Sequence, residues 1–222
     1  MHNCSCITIF TAFMPISCSL TALCLAIALL MVMPSNVVAQ NGEINLLRNI
    51  NNQRSPSTDG LMAGITNSAE PVAIVIPVVE LAAGYLRHDK KTIVNGWTTV
   101  AGLGVTAIIS TGLKYSVNRV RPYITYPFIN YYNRENTGSF PSGHTSFSFC
   151  TATALSLSFP RWYVIAPTYL WAASVGYSRL YLGEHYPTDV LAGVIVGSGS
   201  AWLAYKGNKW LQKRKARAHV AL

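Results

Sequence analysis

The chain has 222 residues, of which 50% are hydrophobic and only 11% are charged, and its mean hydropathy is +0.29. A soluble domain usually carries about 25% charged residues, so the composition argues against a soluble enzyme and favours a single-domain membrane protein. The net charge of +9 does not indicate nucleic-acid binding. The basic residues gather in short connectors and a C-terminal stretch beside apolar segments, and the chain carries no nucleic-acid-binding motif.

Residues 1–39 predict a signal peptide or a first membrane helix. Leu20–Met33 is an apolar run of signal-peptide length, and Val37 and Ala39 resemble a signal-peptidase site with cleavage after Ala39. The basic region that normally precedes such a run is weak, so an uncleaved membrane helix is the alternative. In either case, residue 40 is predicted to lie on the exported side. A cleaved chain would keep Cys150 as its single cysteine, which excludes an intramolecular disulfide and a zinc cluster.

Apolar segments in the rest of the chain predict an all-α bundle of five to six transmembrane helices, the sixth being an uncleaved leader. Residues 40–69 are polar and predict a short amphipathic or irregular segment at the outer surface. Residues 70–205 are predicted to form the functional domain, and residues 206–222 a basic cytoplasmic tail. The five predicted spans are Glu70–Leu86, Thr92–Leu113, Thr145–Phe159, Trp162–Tyr177 and Asp189–Tyr205.

The distribution of basic residues predicts the orientation of these spans. With residue 40 outside, the inner side receives ten of the seventeen Lys and Arg residues, which obeys the positive-inside rule. The same topology places the aromatic-rich segment 123–140 on the exported side. We therefore predict a multi-pass protein of a bacterial inner membrane.

Three short motifs at the ends of the spans carry the residues that a phosphate site needs. They are Lys114-x6-Arg121-Pro122, Pro141-Ser142-Gly143-His144 and Ser178-Arg179-x5-His185-x3-Asp189. Lys114 offers a point charge, while Arg121 and Arg179 offer planar forks that match phosphate geometry. The Ser142 hydroxyl and backbone N–H groups around Gly143, at the start of a helix, add further donors. The predicted topology puts all three motifs on the side that faces the periplasm or exterior.

The two histidines of the motifs predict a nucleophile and a general acid. Asp189 lies four residues after His185, about one helical turn, so its carboxylate can accept the Nδ1–H of His185. This hydrogen bond would leave Nε2 free as a nucleophile, and His144 could then protonate the leaving oxygen. No metal or other cofactor is required, because the cations already neutralise the phosphate. The carboxylates are also too few and too scattered for a histidine–carboxylate metal site.

Two features outside the motifs leave alternatives open. Gly193 and Gly197 form a GxxxG pair, which lets helices approach closely in lipid. Packing inside the bundle is the favoured interpretation, and a dimer face is the alternative, so the oligomeric state is not determined. Arg119 falls outside the motif spacing, and we interpret it as a lipid-headgroup contact or as a simple membrane-edge anchor.

With the three motifs present in this order, the chain resembles the type 2 phosphatidic acid phosphatase (PAP2) superfamily over about residues 70–205. The resemblance implies a helical core of the PAP2/haloperoxidase type, metal-independent hydrolysis and a phosphohistidine intermediate. It implies that His185 is the nucleophile, Asp189 its orienting carboxylate and His144 the general acid. It also implies a phosphate cradle made of Lys114, Arg121, Ser142, Gly143 and Arg179. Membrane members commonly have six spans, and a cleaved leader would leave five here.

The predicted function is that of a membrane-bound lipid phosphate phosphatase. Its expected partners are membrane lipids and a phosphorylated lipid substrate: undecaprenyl diphosphate, phosphatidylglycerophosphate, phosphatidic acid or a lipid A phosphate. Undecaprenyl diphosphate is slightly preferred, because the site faces the side where that carrier is recycled. The alternatives are a lipid headgroup phosphotransferase and a non-specific periplasmic acid phosphatase, of which the apolar spans argue against the second. A lipid-binding protein with a vestigial site is disfavoured, because every motif residue is intact.

Overall fold

A computed structural model describes residues 37–220, and all regular secondary structure in this range is α-helical. The helices are α1 (Val37–Asn51), α2 (Pro56–Asn67), α3 (Ala69–Leu86), α4 (Lys90–Val117), α5 (Pro122–Thr125), α6 (Gly143–Ser158), α7 (Trp162–Tyr181) and α8 (Pro187–Val220). The predicted all-α fold is confirmed for this part of the chain. The predicted leader, residues 1–39, lies almost entirely outside the described residues.

The helix ends follow local chemistry that the sequence shows. Asp89 precedes α4, and its side chain accepts the backbone N–H of Lys91 at 2.9 Å, as an N-cap residue does. Pro187 occupies the first position of α8, where its missing N–H costs no helical hydrogen bond. Asn118 ends α4 in the left-handed conformation, with φ of 42°. Asn118 thus places the first motif at the C-terminal end of α4, and Pro187 places the end of the third motif at the start of α8.

Helix α6 lies in the centre of the bundle and packs most closely on α8. A Cβ atom on Gly197 would lie 2.1 Å from the Ser146 carbonyl oxygen, and one on Gly193 would lie 2.9 Å from the Ser142 carbonyl oxygen. The two helices therefore touch backbone to backbone, which requires residues without side chains. The prediction that the GxxxG pair packs inside the bundle is confirmed.

Two helical runs are long and apolar enough to cross a membrane, namely Pro56–Leu86 and Lys90–Thr125. Their outward-facing side chains include Ile74, which is 66% exposed, and Ile108, which is 75% exposed. Exposed apolar surface of this kind is typical of a lipid-facing bundle. Within the described residues, the other three predicted spans do not pass the same test. The third of the predicted spans, α6, has 16 residues, which is shorter than a full membrane crossing needs. It also carries several buried hydroxyl side chains: Thr145, Ser146, Ser148, Thr151 and Thr153.

Residues 40–69 are more regular than predicted, because α1 and α2 occupy most of them. Leu47 is fully buried. The Asn51 amide donates to the Asn130 carbonyl at 2.8 Å and to the Tyr181 carbonyl at 3.0 Å, and its oxygen accepts the Asn130 N–H at 2.8 Å. Helix α1 is therefore joined to the end of the bundle where the motifs lie.

Residues 206–222, predicted to be a basic cytoplasmic tail, are helical as far as Val220. Helix α8 continues without interruption through residue 206 and ends at Val220. The basic residues of this stretch therefore stand on the extension of a bundle helix. Lys206 and Lys209 lie over the rings of Trp202 and Tyr205, with their ammonium nitrogens 5.4 Å and 4.5 Å from the ring centroids.

Candidate active site

The first motif supplies two cations at one end of the bundle. Lys114 lies in the last turn of α4, and its Nζ donates to the Gly138 carbonyl at 3.2 Å and to Thr137 Oγ1 at 3.3 Å. Arg121 directly precedes α5 and is only 1% exposed. Its Nε donates to the Thr137 carbonyl at 2.9 Å, and its Nη1 donates to the Glu184 carbonyl at 3.0 Å. The guanidinium is therefore held in one orientation by backbone oxygens.

The third cation, Arg179, lies in the last turn of α7 and is 2% exposed. Its Nη1 donates to Thr66 Oγ1 at 3.2 Å, and its Nη2 is paired with Glu135 at 2.6 Å and also with Glu184. Its Nε is buried and has no hydrogen-bond partner within the described residues. An unpaired buried donor is costly, so this nitrogen is available to an anionic ligand.

The second motif forms the N-terminus of α6. The backbone N–H of Ser142 donates to the Asp189 carbonyl at 3.0 Å, which joins this motif to the third. Ser142 Oγ accepts a hydrogen bond from Thr145 Oγ1 at 2.9 Å, so its own hydrogen is free to be donated. A Cβ on Gly143 would meet no protein atom closer than Lys114 Cε at 4.0 Å. The space in front of the helix N-terminus is therefore open toward the cations.

His185 is almost completely buried, and its ring is oriented by a backbone carbonyl. Its Nδ1 lies 2.7 Å from the Ser139 carbonyl oxygen and 3.6 Å from Asp189 Oδ2. A carbonyl oxygen only accepts hydrogen bonds, so Nδ1 carries the hydrogen and Nε2 has a free lone pair. The predicted hydrogen bond from Nδ1 to Asp189 is therefore replaced by one to Ser139, and Asp189 acts on the ring through its charge alone. This contact favours the same tautomer that the sequence predicts, with the hydrogen on Nδ1.

Asp189 does not reach His185 because other donors hold its carboxylate. One oxygen accepts the Tyr186 N–H at 3.0 Å, and the other accepts Arg119 Nη1 at 2.7 Å. Arg119 also pairs with Glu43 of α1 at 2.8 Å, and its guanidinium carbon lies 3.8 Å from the centroid of the Tyr186 ring. This arrangement differs from both sequence-based interpretations of Arg119, a lipid-headgroup contact or a simple anchor, because the cation is paired with two carboxylates beside His185.

His144 lies in the first turn of α6, before the predicted third span, and is half-buried. Burial and then the positive charge of Arg179 lower the pKa of His144 to about 3. Burial, opposed by Asp189 and reinforced by Arg179, lowers the pKa of His185 to about 4. Both rings are therefore neutral at neutral pH. A bound phosphate would add negative charge among the same groups and would favour the protonated form of His144.

These two pKa values predict how stability depends on pH. An unfolded histidine titrates near 6.5, so the unfolded chain binds more protons than the folded one between about pH 4 and 6.5. The contribution of each neutral histidine to stability is therefore complete above about pH 6.5 and falls as the pH drops toward 4. We expect the Tm of detergent-solubilised protein to decrease over this range, and to decrease less steeply in His185→Gln.

The control for this measurement is His88→Gln, which changes an exposed histidine of the α3–α4 connector. Its Tm should follow the wild-type dependence on pH. Equal slopes for wild type and His185→Gln would contradict the expectation and would mean that His185 is not held neutral by burial.

The structure brings together all eight residues that the motifs predict, and it adds four that the sequence did not indicate. The eight are Lys114, Arg121, Ser142, Gly143, His144, Arg179, His185 and Asp189. The additional ones are Glu43, Arg119, Glu135 and Glu184, which pair with cations or carboxylates of the site. None of the four lies at a motif position, so only their place in the fold reveals them.

Comparison with known proteins points to one family. The family model described as the PAP2 superfamily matches residues 95–213. Undecaprenyl-diphosphatase of Sulfolobus acidocaldarius is 29% identical over 163 residues, covering 73% of this chain and 75% of that protein. Lipid A 1-phosphatase of Rhizobium etli is 34% identical over 155 residues, covering 62% and 64% of the two chains.

A solved structure shows the same fold. The crystal structure of a transmembrane PAP2-type phosphatidylglycerolphosphate phosphatase from Bacillus subtilis superposes with a TM-score of 0.69 at 25% identity, covering 85% of this chain and 95% of that one. Each of the three similar proteins is named as a phosphatase, and each name refers to a different lipid. The three proteins therefore share a kind of reaction and differ in the substrate that they are named for.

Proposed function

Because this chain belongs to the PAP2 superfamily, we propose that it is an integral membrane phosphatase that hydrolyses a phosphomonoester or diphosphate on a lipid headgroup. The observation that carries the proposal is the hydrogen bond that fixes the ring of His185. Its Nδ1 donates to the Ser139 carbonyl at 2.7 Å, which leaves Nε2 as a free nucleophile at the end of the bundle where three cations converge. Apolar outer faces on the adjoining helices support a lipid substrate.

The first step transfers the phosphoryl group to the enzyme. Nε2 of His185 attacks the phosphorus in line and forms a P–N bond, while the bond from phosphorus to the lipid oxygen breaks. His144 gives its proton to that leaving oxygen. Lys114, Arg121 and Arg179 stabilise the charge on the equatorial phosphate oxygens, and because they are already held in place they need little reorganisation. Asp189 stabilises the positive charge that develops on the ring of His185.

The second step releases phosphate. A water molecule attacks the phosphorus and gives a proton to His144, which is neutral after the first step. The P–N bond breaks, and its electron pair returns to Nε2, so His185 becomes neutral again. The sum of the two steps is one lipid phosphate and one water converted to one lipid alcohol, or a lipid monophosphate if the substrate is a diphosphate, and one inorganic phosphate. No metal ion takes part in this scheme.

The predicted topology supports a location and slightly favours one of the four candidate substrates. The positive-inside distribution favours a bacterial inner membrane with the site facing the periplasm or exterior. On that side, undecaprenyl diphosphate is the preferred substrate, and phosphatidylglycerophosphate, phosphatidic acid and a lipid A phosphate are the others to compare. Residues 1–39 would then be the exported leader or first membrane helix.

Two other reactions use the same phosphoenzyme. A lipid headgroup phosphotransferase would let a second lipid hydroxyl replace water in the second step. A non-specific acid phosphatase would accept soluble phosphate esters as readily as lipids, and the exposed apolar side chains on α3 and α4 argue against that choice.

The test is phosphate release by purified, detergent-solubilised protein with EDTA present and no added metal. Each of the four lipids is offered separately, with para-nitrophenyl phosphate as the soluble ester and His185→Ala as the inactive control. We expect release from one lipid, no loss with EDTA, and little release from the soluble ester.

The other outcomes of this assay separate the alternatives. Phosphate that appears on an added acceptor lipid instead of in solution would identify a transferase. Equal turnover of the soluble ester would identify a non-specific phosphatase. Absence of turnover by folded protein on all five compounds and on acceptor lipids would contradict the enzymatic proposal.

Arg119 provides a further test of the proposed mechanism. We expect Arg119→Ala to lower kcat by about 100-fold with little change in KM, since misplacing a reacting group by about 1 Å costs this much. The reason is that Asp189 loses the cation 2.7 Å from its carboxylate. Arg119→Lys should recover part of kcat, because an ammonium group can reach one carboxylate and cannot pair with both Asp189 and Glu43.

The matched control for Arg119 is Arg48→Ala, which removes an exposed cation of α1 that lies over the Phe128 ring. Its kcat should equal that of wild type. A normal kcat in the folded fraction of Arg119→Ala, with only a lower Tm, would mean that Arg119 stabilises the fold and does not position Asp189.

A further inference from the structure

The segment Glu135–Gly138 contacts all three cations of the phosphate cradle. Thr137 and Gly138 accept hydrogen bonds from Lys114 Nζ, and the Thr137 carbonyl accepts Arg121 Nε at 2.9 Å. Glu135 pairs with both arginines. This segment and its neighbours therefore satisfy the cradle side chains, apart from the buried Nε of Arg179.

The carboxylate of Glu135 bridges the two arginines. Its Oε1 accepts from Arg179 Nη2 at 2.6 Å, and its Oε2 accepts from Arg121 Nη2. Two oxygens of one anion that receive two guanidinium groups reproduce the contacts that two phosphate oxygens would make. The arginines are 1% and 2% exposed, whereas the Glu135 side chain is 29% exposed. The carboxylate therefore covers the buried cations from the open side.

The backbone of Glu135 is held independently of its side chain. Its N–H donates to the Tyr123 hydroxyl at 3.1 Å, and its carbonyl accepts from the same hydroxyl at 3.2 Å. The carboxylate can therefore swing away by side-chain rotation while the main chain stays in place. Thr66 contacts Nη1 of Arg179 and Glu184 contacts its Nη2 beside Glu135, so departure of the Glu135 carboxylate would free Nη2 for an anion next to the unpaired Nε.

We propose that the Glu135 carboxylate is an internal substitute for phosphate, which occupies Arg121 and Arg179 in the empty enzyme and which the lipid phosphate displaces on binding. This inference rests on the proposed function, because it assumes that the two arginines bind the substrate. Its consequence is that Glu135 competes with both substrate and product. The returning carboxylate then helps to expel inorganic phosphate after the second step.

The lipid phosphate must displace the charged Glu135 carboxylate from the two arginines, because protonation does not neutralise that carboxylate. Burial opposes ionisation of Glu135, yet the Arg179 and Arg121 guanidiniums, with a smaller contribution from His185, lower its pKa to about 2. Lys114, His144 and Glu184 also face this part of the site. The carboxylate is therefore charged at any pH at which the enzyme works, and like-charge repulsion prevents it from sharing the two arginines with a phosphate dianion.

The test measures inorganic phosphate binding, which does not require turnover. Calorimetric titration of detergent-solubilised Glu135→Gln should give a dissociation constant for phosphate about tenfold lower than wild type, as expected if the carboxylate occupies the site about 90% of the time. The same ratio should appear in the inhibition constant of phosphate when a lipid is hydrolysed. Without phosphate, Glu135→Gln should have a lower Tm, since two buried cations lose their counter-ion, and phosphate should raise that Tm more than it raises the wild-type one.

The matched control is Glu70→Gln, which makes the same charge change at an exposed residue at the start of α3. Its phosphate affinity should equal that of wild type. If Glu135→Gln does not yield folded protein, Glu135→Ala measured after purification in phosphate and dialysis serves as the second variant.

An unchanged or weaker affinity for phosphate in both Glu135 variants would overturn the inference and would make Glu135 a brace that orients the arginines. The binding readout separates this result from a failure of the proposed function. If phosphate binds more tightly to the variants but no lipid is hydrolysed, the displacement stands and only the assigned reaction is wrong.

Discussion

Replacing His185 with alanine is expected to lower the rate of phosphate release by about 10⁴-fold or more, which is the loss seen when a catalytic nucleophile is removed. Nε2 of His185 is the one nitrogen of this ring that is free to attack, because Nδ1 donates to Ser139. In a single-turnover experiment, wild-type protein should retain labelled phosphate from its substrate after acid-free denaturation. The His185→Ala chain should retain none.

Two controls make the His185 result specific. His88→Ala removes an exposed histidine far from the motifs and should keep full activity. His144→Ala should retain label when given a substrate with a good leaving group, because its defect lies in proton transfer, a contribution of about 10²- to 10⁴-fold. Labelled His185→Ala protein would show that another residue forms the covalent bond, and the mechanism derived from Nε2 would be wrong.

Gly197→Ala is expected to destabilise the bundle by about 3 kcal/mol or more, at the upper end of what overpacking costs. The added methyl group would lie 2.1 Å from the Ser146 carbonyl oxygen and 2.8 Å from the Cys150 backbone nitrogen. Both are main-chain atoms of α6 that cannot rotate away, so α6 and α8 must separate. The measurement is Tm, together with the yield of monodisperse protein in detergent.

We also expect Gly197→Ala to lower phosphatase activity. The hydrogen bond from the Ser142 N–H to the Asp189 carbonyl, with an N···O distance of 3.0 Å, lies at the end of the same α6–α8 interface. Gly199→Ala and Gly207→Ala are matched controls on α8, since a Cβ at either position meets no atom within 4 Å. Both should have wild-type Tm or slightly higher, because alanine is the better helix former. A normal Tm for Gly197→Ala would contradict direct backbone contact between α6 and α8.

The residues of the candidate site could be listed from the sequence because the motifs depend on residue type and on short spacing. Asp189 is the fourth residue after His185, and Arg121 is the seventh after Lys114, so each motif brings its own members near one another through local geometry. The apolar lengths of the spans then bring the motifs to one end of the bundle. For the same reason, the packing of Gly193 and Gly197 could be inferred, since small residues at helical spacing have few other uses in a membrane helix.

The partners of these residues depend on the folded arrangement. Arg119 is 70 residues from Asp189 and 76 from Glu43, Glu135 is 44 residues from Arg179, and Ser139 is 46 from His185. No local period relates such positions, and one of the partners is a backbone carbonyl that carries no sequence signal at all. Burial then decides the outcome, because buried charges must be paired. Arg119 is only partly buried, yet the fold places it 2.7 Å from the buried Asp189 carboxylate, so it becomes part of the candidate site.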